Sequence, residues 1–215
     1  MKPYLLFSAR QTSSRVAQKL IRPLMGADCL FSIYLRRLKR LLATGWFCDG
    51  AVALCPADKH LWTMAEQAGA PVLERDLASI EKGAPLNVIF GVLKSVEADN
   101  VLWVNACQPF LPDSRIFTAS QHPRCTAYTT RSFVPVETPS SEVRSDKFKT
   151  RVYANSFHGF ARRELLSSGQ YWPNEKPELV PVPPAQCIDA DEELDMEIIA
   201  ALMRYRLSGE VNLSW

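Results

Sequence analysis

Short, almost wholly apolar runs recur through the first half of the chain, separated by segments whose apolar residues return at helical spacing. The runs are Tyr4-Leu5-Leu6-Phe7-Ser8-Ala9, Ala51-Val52-Ala53-Leu54-Cys55, Val72-Leu73 and Val101-Leu102-Trp103-Val104. Runs this brief and this uniformly apolar suit strands buried on both faces, as in parallel sheets. From about residue 28 to 42, Leu30, Ile33, Tyr34, Leu38, Leu41 and Leu42 share one helical face. Asp58 is a candidate cap for a second helix carrying Leu61, Met64, Ala65 and Ala68, which Gly69 ends. Pro85 suits the first turn of a third, with Leu86, Ile89, Phe90, Leu93 and Val96. Strand and helix in strict alternation predict right-handed crossovers and a three-layer α/β/α sandwich.

The second half is less regular. Residues 126–130, 133–136 and 157–161 read as strands, and 138–150 as a polar loop or extended arm. A proline-rich stretch, 177–184, leads into Cys187-Ile188-Asp189. The last helix, about 192–207, places Leu194, Ile198, Ile199, Leu202 and Tyr205 on one face, with Gly209 just beyond. A length of 215 residues suits one domain. With 25 basic and 23 acidic residues, the net charge of +2 gives no bulk attraction to nucleic acid or membranes. No apolar run approaches the ~20 residues of a membrane span, and the stretch after Lys2 is too short for a signal-peptide core. The expected setting is the cytoplasm. Cys29, Cys48, Cys55, Cys107, Cys125 and Cys187 form no CxxC pair and read as free thiols. His60, His122 and His158 are equally scattered, which disfavours zinc.

Ligands of open α/β sheets bind on the loops beyond the carboxyl ends of the strands. The first such loop interleaves Arg10, Arg15 and Lys19 with Thr12, Ser13 and Ser14. Guanidinium forks, hydroxyls and backbone N–H groups are what a polyphosphate needs, although an ordinary solvated turn has the same composition. It is neither a Walker loop nor GxGxxG, having no glycine. Asp189 and Asp191, at spacing i, i+2, point the same way on an extended segment and can share a hard cation. Alternatively, Asp191 caps the last helix, while Asp195 favours its dipole. Asn105 and Gln108, at the exit of the fourth run, carry amides suited to a base or sugar hydroxyls, or serve as turn residues. Arg36, Arg37, Lys39 and Arg40 read as a solvated helix face, with an anion-binding patch as the alternative.

Taken together, these segments resemble the cytidylyltransferases that activate sialic acid and related nonulosonic acids, with the KDO cytidylyltransferases as cousins. Ala9-Arg10-Gln11-Thr12-Ser13-Ser14-Arg15-Val16-Ala17-Gln18-Lys19 is similar to the family's opening ARxxS loop and its lysine. Val104-Asn105-Ala106-Cys107-Gln108-Pro109-Phe110 stands at the family's mid-chain Gln-Pro turn, and Asn155-Ser156-Phe157-His158-Gly159-Phe160 resembles its late Asn-Gly strand. Asp189-Ala190-Asp191-Glu192-Glu193-Leu194-Asp195-Met196 resembles its Asp-x-Asp-x-x-x-Asp ending, the most specific part of a likeness covering residues 3–207. The chain departs from the pattern at Gln11, Thr12, Ala17 and Gln18, where the family has glycines or Pro-Gly. It departs again at Asn105, usually glutamine, and at Cys55-Pro56-Ala57-Asp58, where only Asp58 remains of an acidic turn.

The resemblance implies a Rossmann-like nucleotide-diphospho-sugar transferase fold with a mostly parallel mixed sheet. It also implies a Mg²⁺-dependent transfer from CTP to a 2-keto sugar acid, giving a CMP-sugar and pyrophosphate. Arg10, Lys19, Asp189 and Asp191 would be the catalytic residues; Ala9, Arg10, Ser13, Ser14, Arg15, Lys19 and Asn105 would bind the nucleotide. Asn105 and Gln108 would meet the substrate, and Asp189 and Asp191 would hold the metal. The family's homodimer implies an arm at about 131–163, with Arg144, Lys147 and Lys149 facing a neighbour's substrate. Two alternatives stay open: a GT-A-like glycosyltransferase, disfavoured because its metal motif usually lies mid-chain, and a non-catalytic relative that binds a nucleotide or a partner protein.

Overall fold

The structure, a computed structural model, describes residues 1–11, 13, 15–132 and 149–207. Seven strands form one sheet in the order β3-β2-β1-β4-β6-β5-β7. They are β1 (Tyr4–Ser8), β2 (Asp49–Leu54), β3 (Val72–Glu74), β4 (Asn100–Asn105), β5 (Cys125–Ser132), β6 (Lys149–Ala161) and β7 (Glu178–Pro181). β6 runs antiparallel to both its neighbours; the other pairings are parallel. This is the expected mostly parallel mixed sheet. The helices are α1 (Leu30–Ala43), α2 (Lys59–Gln67), α3 (Leu86–Ile89), α4 (Asp113–Ser120), α5 (Arg162–Ser168) and α6 (Glu193–Leu207). None of the described helices is long and apolar enough to cross a membrane, and none of the six cysteines forms a disulfide.

The four apolar runs become β1 to β4 because each side of each strand meets a core. One core joins Leu5, Phe7, Val52, Leu54, Leu102 and Val104 to Leu30, Tyr34, Leu38 and Leu41 of α1 and to Met196 and Ile199 of α6. The other joins Tyr4, Leu6, Ala51, Ala53 and Val101 to Phe90, Leu93, Phe160 and Leu165. Burial on both faces explains why these strands show no apolar–polar alternation. Gly50 permits close packing, since a Cβ there would lie 2.6 Å from the Leu5 carbonyl oxygen.

Several expectations are revised. The third helix breaks into α3 and a 3₁₀ turn, Gly91–Ser95, with Pro85 at the cap and not in the first turn; Gly91 and the surrounding β-branched residues support a continuous helix poorly. Asp58 occupies the cap position of α2 but makes no capping bond. The basic face of α1 is neither simply solvated nor an open anion patch. Arg37 is buried, donates to the Pro109 and Leu111 carbonyls, and faces Asp113, which also binds Arg40. Arg36 pairs with Asp28, and Lys39 donates to the Ala68 carbonyl. Arg37 thus ties α1 to the loop after β4 and Arg40 ties it to the start of α4, while Arg36 and Lys39 reach the segment before α1 and the end of α2. On α6, Met196 and Ile199 are buried while Leu194, Ile198 and Tyr205 are exposed, so the buried stripe lies to one side of the expected one. The expected strand at 133–136, most of the arm at 138–150, and Thr12, Ser14, Arg144, Lys147 and Gly209 lie outside the described residues.

Candidate nucleotide and metal site

The strand order reverses between β1 and β4, one of which leads to β2 and β3 and the other to β6. A crevice at the carboxyl ends of two such strands is where open α/β sheets take ligands. Here it is a cleft of about 380 Å³. Ser8, Ala9 and Arg10 line it from β1, and Trp103, Asn105, Ala106 and Cys107 from β4. Ser13, Arg15 and Lys19 enter from the first loop, Asp189 and Asp191 from the segment before α6, and Asn155 from β6.

The two halves of the chain meet directly. Arg15 Nη2 lies 2.6 Å from Asp191 Oδ1, and Lys19 Nζ is 3.4 Å from the same oxygen. Lys19 Nζ also donates to the Ala190 carbonyl at 3.0 Å. Arg22 makes a third tie, an ion pair with Glu193 at the start of α6. About 170 residues of sequence separate these partners. Local backbone geometry explains why the loop can turn back. Gln18 takes φ +52°, a left-handed conformation, and its carbonyl accepts from Ile21 and Arg22 at 2.9 Å each. The loop's start is held by Asp58, whose Oδ1 accepts from the Gln11 N–H at 2.9 Å. Arg75 Nη2 donates to the Ala9 carbonyl at 2.5 Å.

Asp191 is not spent on capping. Asp195 reaches back from the first turn of α6 and accepts from the backbone N–H groups of Asp191 and Glu192, at 3.0 and 2.7 Å. The Asp191 carboxylate therefore stays in the cleft. Asp189 is more enclosed. Its Oδ2 accepts from Asn105 Nδ2 at 2.8 Å and from Gln108 Nε2 at 3.4 Å, while Oδ1 is buried with no hydrogen-bond partner among the described residues. Burial raises the Asp189 pKa, with the Asp191 charge adding to the rise; Lys19 and the two amides oppose it. Burial likewise pushes the Cys107 thiol up to about 11, which makes it an inert wall residue at neutral pH.

An orphaned carboxylate oxygen beside a second carboxylate fits a hard divalent cation, whose other positions water and substrate oxygens usually fill. No group of three or more His, Cys, Asp or Glu side chains suited to a metal occurs among the described residues. Asp189 and Asp191 are thus the protein donors on offer. Gln108 departs from expectation: it is wholly buried, and its amide serves Ala154 and Asp189 instead of lining the cleft. Asn105 lines the cleft but already bonds Asn155, Asp189 and Cys107.

Sequence reasoning missed part of the wall. Arg75, Ser79, Glu81, Lys82 and Gly83, which follow β3, line it, as do Ile89 and Trp103. The rule that ligands sit beyond strand ends applies to β3 as it does to β1, and would have found this segment.

Among solved structures, this architecture recurs in CMP:2-keto-3-deoxy-manno-octonic acid synthetase complexed with CTP. That match has a TM-score of 0.69 and 15% identity, covering 96% of this chain and 100% of the other. The chain shares that protein's fold. A cytidylyltransferase from Leptospira borgpetersenii matches at TM-score 0.64 and 16% identity, over 99% of this chain and 91% of that one. The 4-diphosphocytidyl-2C-methyl-D-erythritol synthase of Anaerococcus prevotii matches at 0.59 and 9%, over 94% and 96%. No protein-family model and no curated protein sequence matches the chain.

Proposed function

We propose that the protein is a nucleotidyltransferase that uses CTP to activate a nonulosonic, sialic-acid-like sugar, giving a CMP-sugar and pyrophosphate. The observation that carries this reading is the meeting of Arg15 and Lys19 with Asp189 and Asp191 in one cleft at the strand-order reversal. The shared fold of solved cytidylyltransferases, one of them complexed with CTP, supports the choice of nucleotide.

In this reading Arg10, Ser13, Ser14, Arg15 and Lys19, with the Ala9 backbone, hold the triphosphate. Binding replaces the Arg15–Asp191 ion pair with contacts to phosphate oxygens and so releases Asp191. Asp189 and Asp191 hold Mg²⁺, which when bound supplies charge neutralisation and alignment at the phosphate. The sugar's anomeric hydroxyl forms a bond to the α-phosphorus, giving up its proton to water, as the bond to the pyrophosphate oxygen breaks. Lys19, its side chain 14% exposed beside Asp191, neutralises charge that grows on the leaving group. Such a displacement gains most from positioning and electrostatics, the two things this cleft supplies.

The assembly is a homodimer whose arm includes the outer β5–β6 ribbon. Only the inner part of β6 pairs with β4, from Phe157 to Ala161, while Lys149 to Tyr153 pair with β5 alone. That free-standing ribbon exposes Tyr153 and stacks Arg151 over Tyr128. Sedimentation should give a dimer; a monomer would contradict the shared-arm reading.

Purified protein given CTP, Mg²⁺ and a panel of nonulosonic acids should release pyrophosphate, and Asp189→Ala should abolish release. No release with any acid, or full release by the variant, would overturn the reading.

A further inference from the structure

Asp189 presents its two oxygens unequally: Oδ2 is bonded twice and Oδ1 not at all. The cause lies in the amides that hold it. Asn105 Nδ2 gives its other hydrogen to the Asn155 carbonyl at 3.0 Å, and Gln108 Nε2 gives its other to the Ala154 carbonyl at 2.8 Å. Asn105 Oδ1 in turn accepts from the Cys107 N–H at 2.9 Å, so a flipped amide would set oxygen against carboxylate. From α1, the Tyr34 hydroxyl fixes the Gln108 backbone, donating to its carbonyl at 2.5 Å and accepting from its N–H at 3.1 Å.

Consecutive carbonyls do not normally serve one side of a strand, because a pleated backbone directs them alternately to opposite neighbours. β6 leaves the pleat at this point. It takes five steps from Tyr153 to His158 while β5 takes two from Tyr128 to Thr126. Inside that bulge Asn155 has φ +48°, the left-handed region that asparagine enters more readily than other side chains. A residue in that conformation turns the carbonyls on either side of it in the same direction, here those of Ala154 and Asn155. Bulges of this kind re-aim groups beside functional sites.

We propose that Asn155 is a positioning residue: its left-handed backbone aligns the two β6 carbonyls, which orient the Asn105 and Gln108 amides so that Asp189 keeps Oδ1 as its donor to a divalent cation. This rests on the reading of Asp189 as a metal donor. The Asn155 side chain, 3.3 Å from His158 Nε2, is secondary to the backbone conformation.

Mn²⁺ binding, read from the resonance signal of the free ion, tests this without turnover. The wild type should bind saturably and Asp189→Asn should lose that binding. Asn155→Val, which resists the left-handed region, should weaken binding by about 10–100-fold, as should Gln108→Leu. Asn155→Gly should keep wild-type affinity, because glycine adopts the same backbone conformation. Circular dichroism melts identify variants that fold, and if Asn155→Val does not, the glycine and Gln108→Leu variants decide. Folded Asn155→Val and Gln108→Leu with wild-type affinity, beside a dead Asp189→Asn, would overturn the positioning role and leave the metal reading standing. Weak binding by Asn155→Gly would also overturn it, by moving the role to the side chain. Wild-type affinity in Asp189→Asn would remove the metal reading first.

Discussion

At Gln18 the chain keeps a conformation that suits glycine and fills it with a longer residue. The left-handed backbone costs a residue with a Cβ roughly 1–2 kcal/mol, against about 0.5–1 kcal/mol of extra entropy lost by glycine. Gln18→Gly should therefore leave the urea midpoint unchanged or raise it, and Gln18→Val should lower it. A glycine variant that lost stability would contradict the strain. His158 makes a second residue-level prediction. It lies beside Trp103, Tyr171 and Trp172, and burial lowers its pKa from 6.5 to about 4. Between those values the unfolded chain binds more protons than the native one, so stability rises with pH across that window. The contribution is complete above pH 6.5 and is lost as pH falls to about 4. Between pH 7 and 4.5, wild type should lose about 2 kcal/mol more in urea unfolding than His158→Gln. Equal losses would contradict a buried neutral imidazole. Residue types at the cleft were legible: arginines, lysine and paired aspartates state their chemistry in the sequence. Orientation was not. Nothing in the string reveals that Gln108 turns inward or that Asn155 is left-handed, because both depend on a bulge set by tertiary pairing.

Elements whose apolar residues are all enclosed were easily read, and those left partly exposed or cut short were not. β1, β2 and β4 follow their patterns because a core lies on each of their faces, and α1 because its apolar stripe packs into one of those cores. α4 and α5 are too short for a periodic signal, and β7 lies in a proline-rich stretch that reads as coil. α6 illustrates how an amphipathic helix misleads: Leu194, Ile198 and Ile199 suggested the inner face, yet only Ile199 of the three is buried, and Met196 joins it inside. Its start, in contrast, follows local rules, with Asp195 binding the N–H groups of Asp191 and Glu192. Removing that reach-back in Asp195→Ala should cost about 1 kcal/mol, lowering the melting temperature by about 2–4 °C in a domain of this size. Metal affinity should weaken too, since Asp191 loses the contact that fixes its backbone. An unchanged melting temperature would mean that the cap contributes nothing.

Across the whole molecule, one consequence of topology dominates: placing β4 beside β1 brings residue 19 to residue 191 and makes a charged cleft from both ends of the sequence. The spacing of the motifs could only suggest this meeting, because sequence order does not determine which strands lie side by side. The wall after β3 was missed for the same reason, its distance from the first loop being set by the parallel pairing of β2 with β3. The proposed function requires the loop cations and the carboxylates to act on one ligand. Calorimetry of CTP binding, with and without Mg²⁺, in wild type, Lys19→Ala and Asp189→Ala tests it most directly. Wild type should bind more tightly with Mg²⁺, Lys19→Ala should bind more weakly, and Asp189→Ala should lose the Mg²⁺ effect. Wild-type binding that ignores Mg²⁺, or that survives both substitutions unchanged, would contradict it.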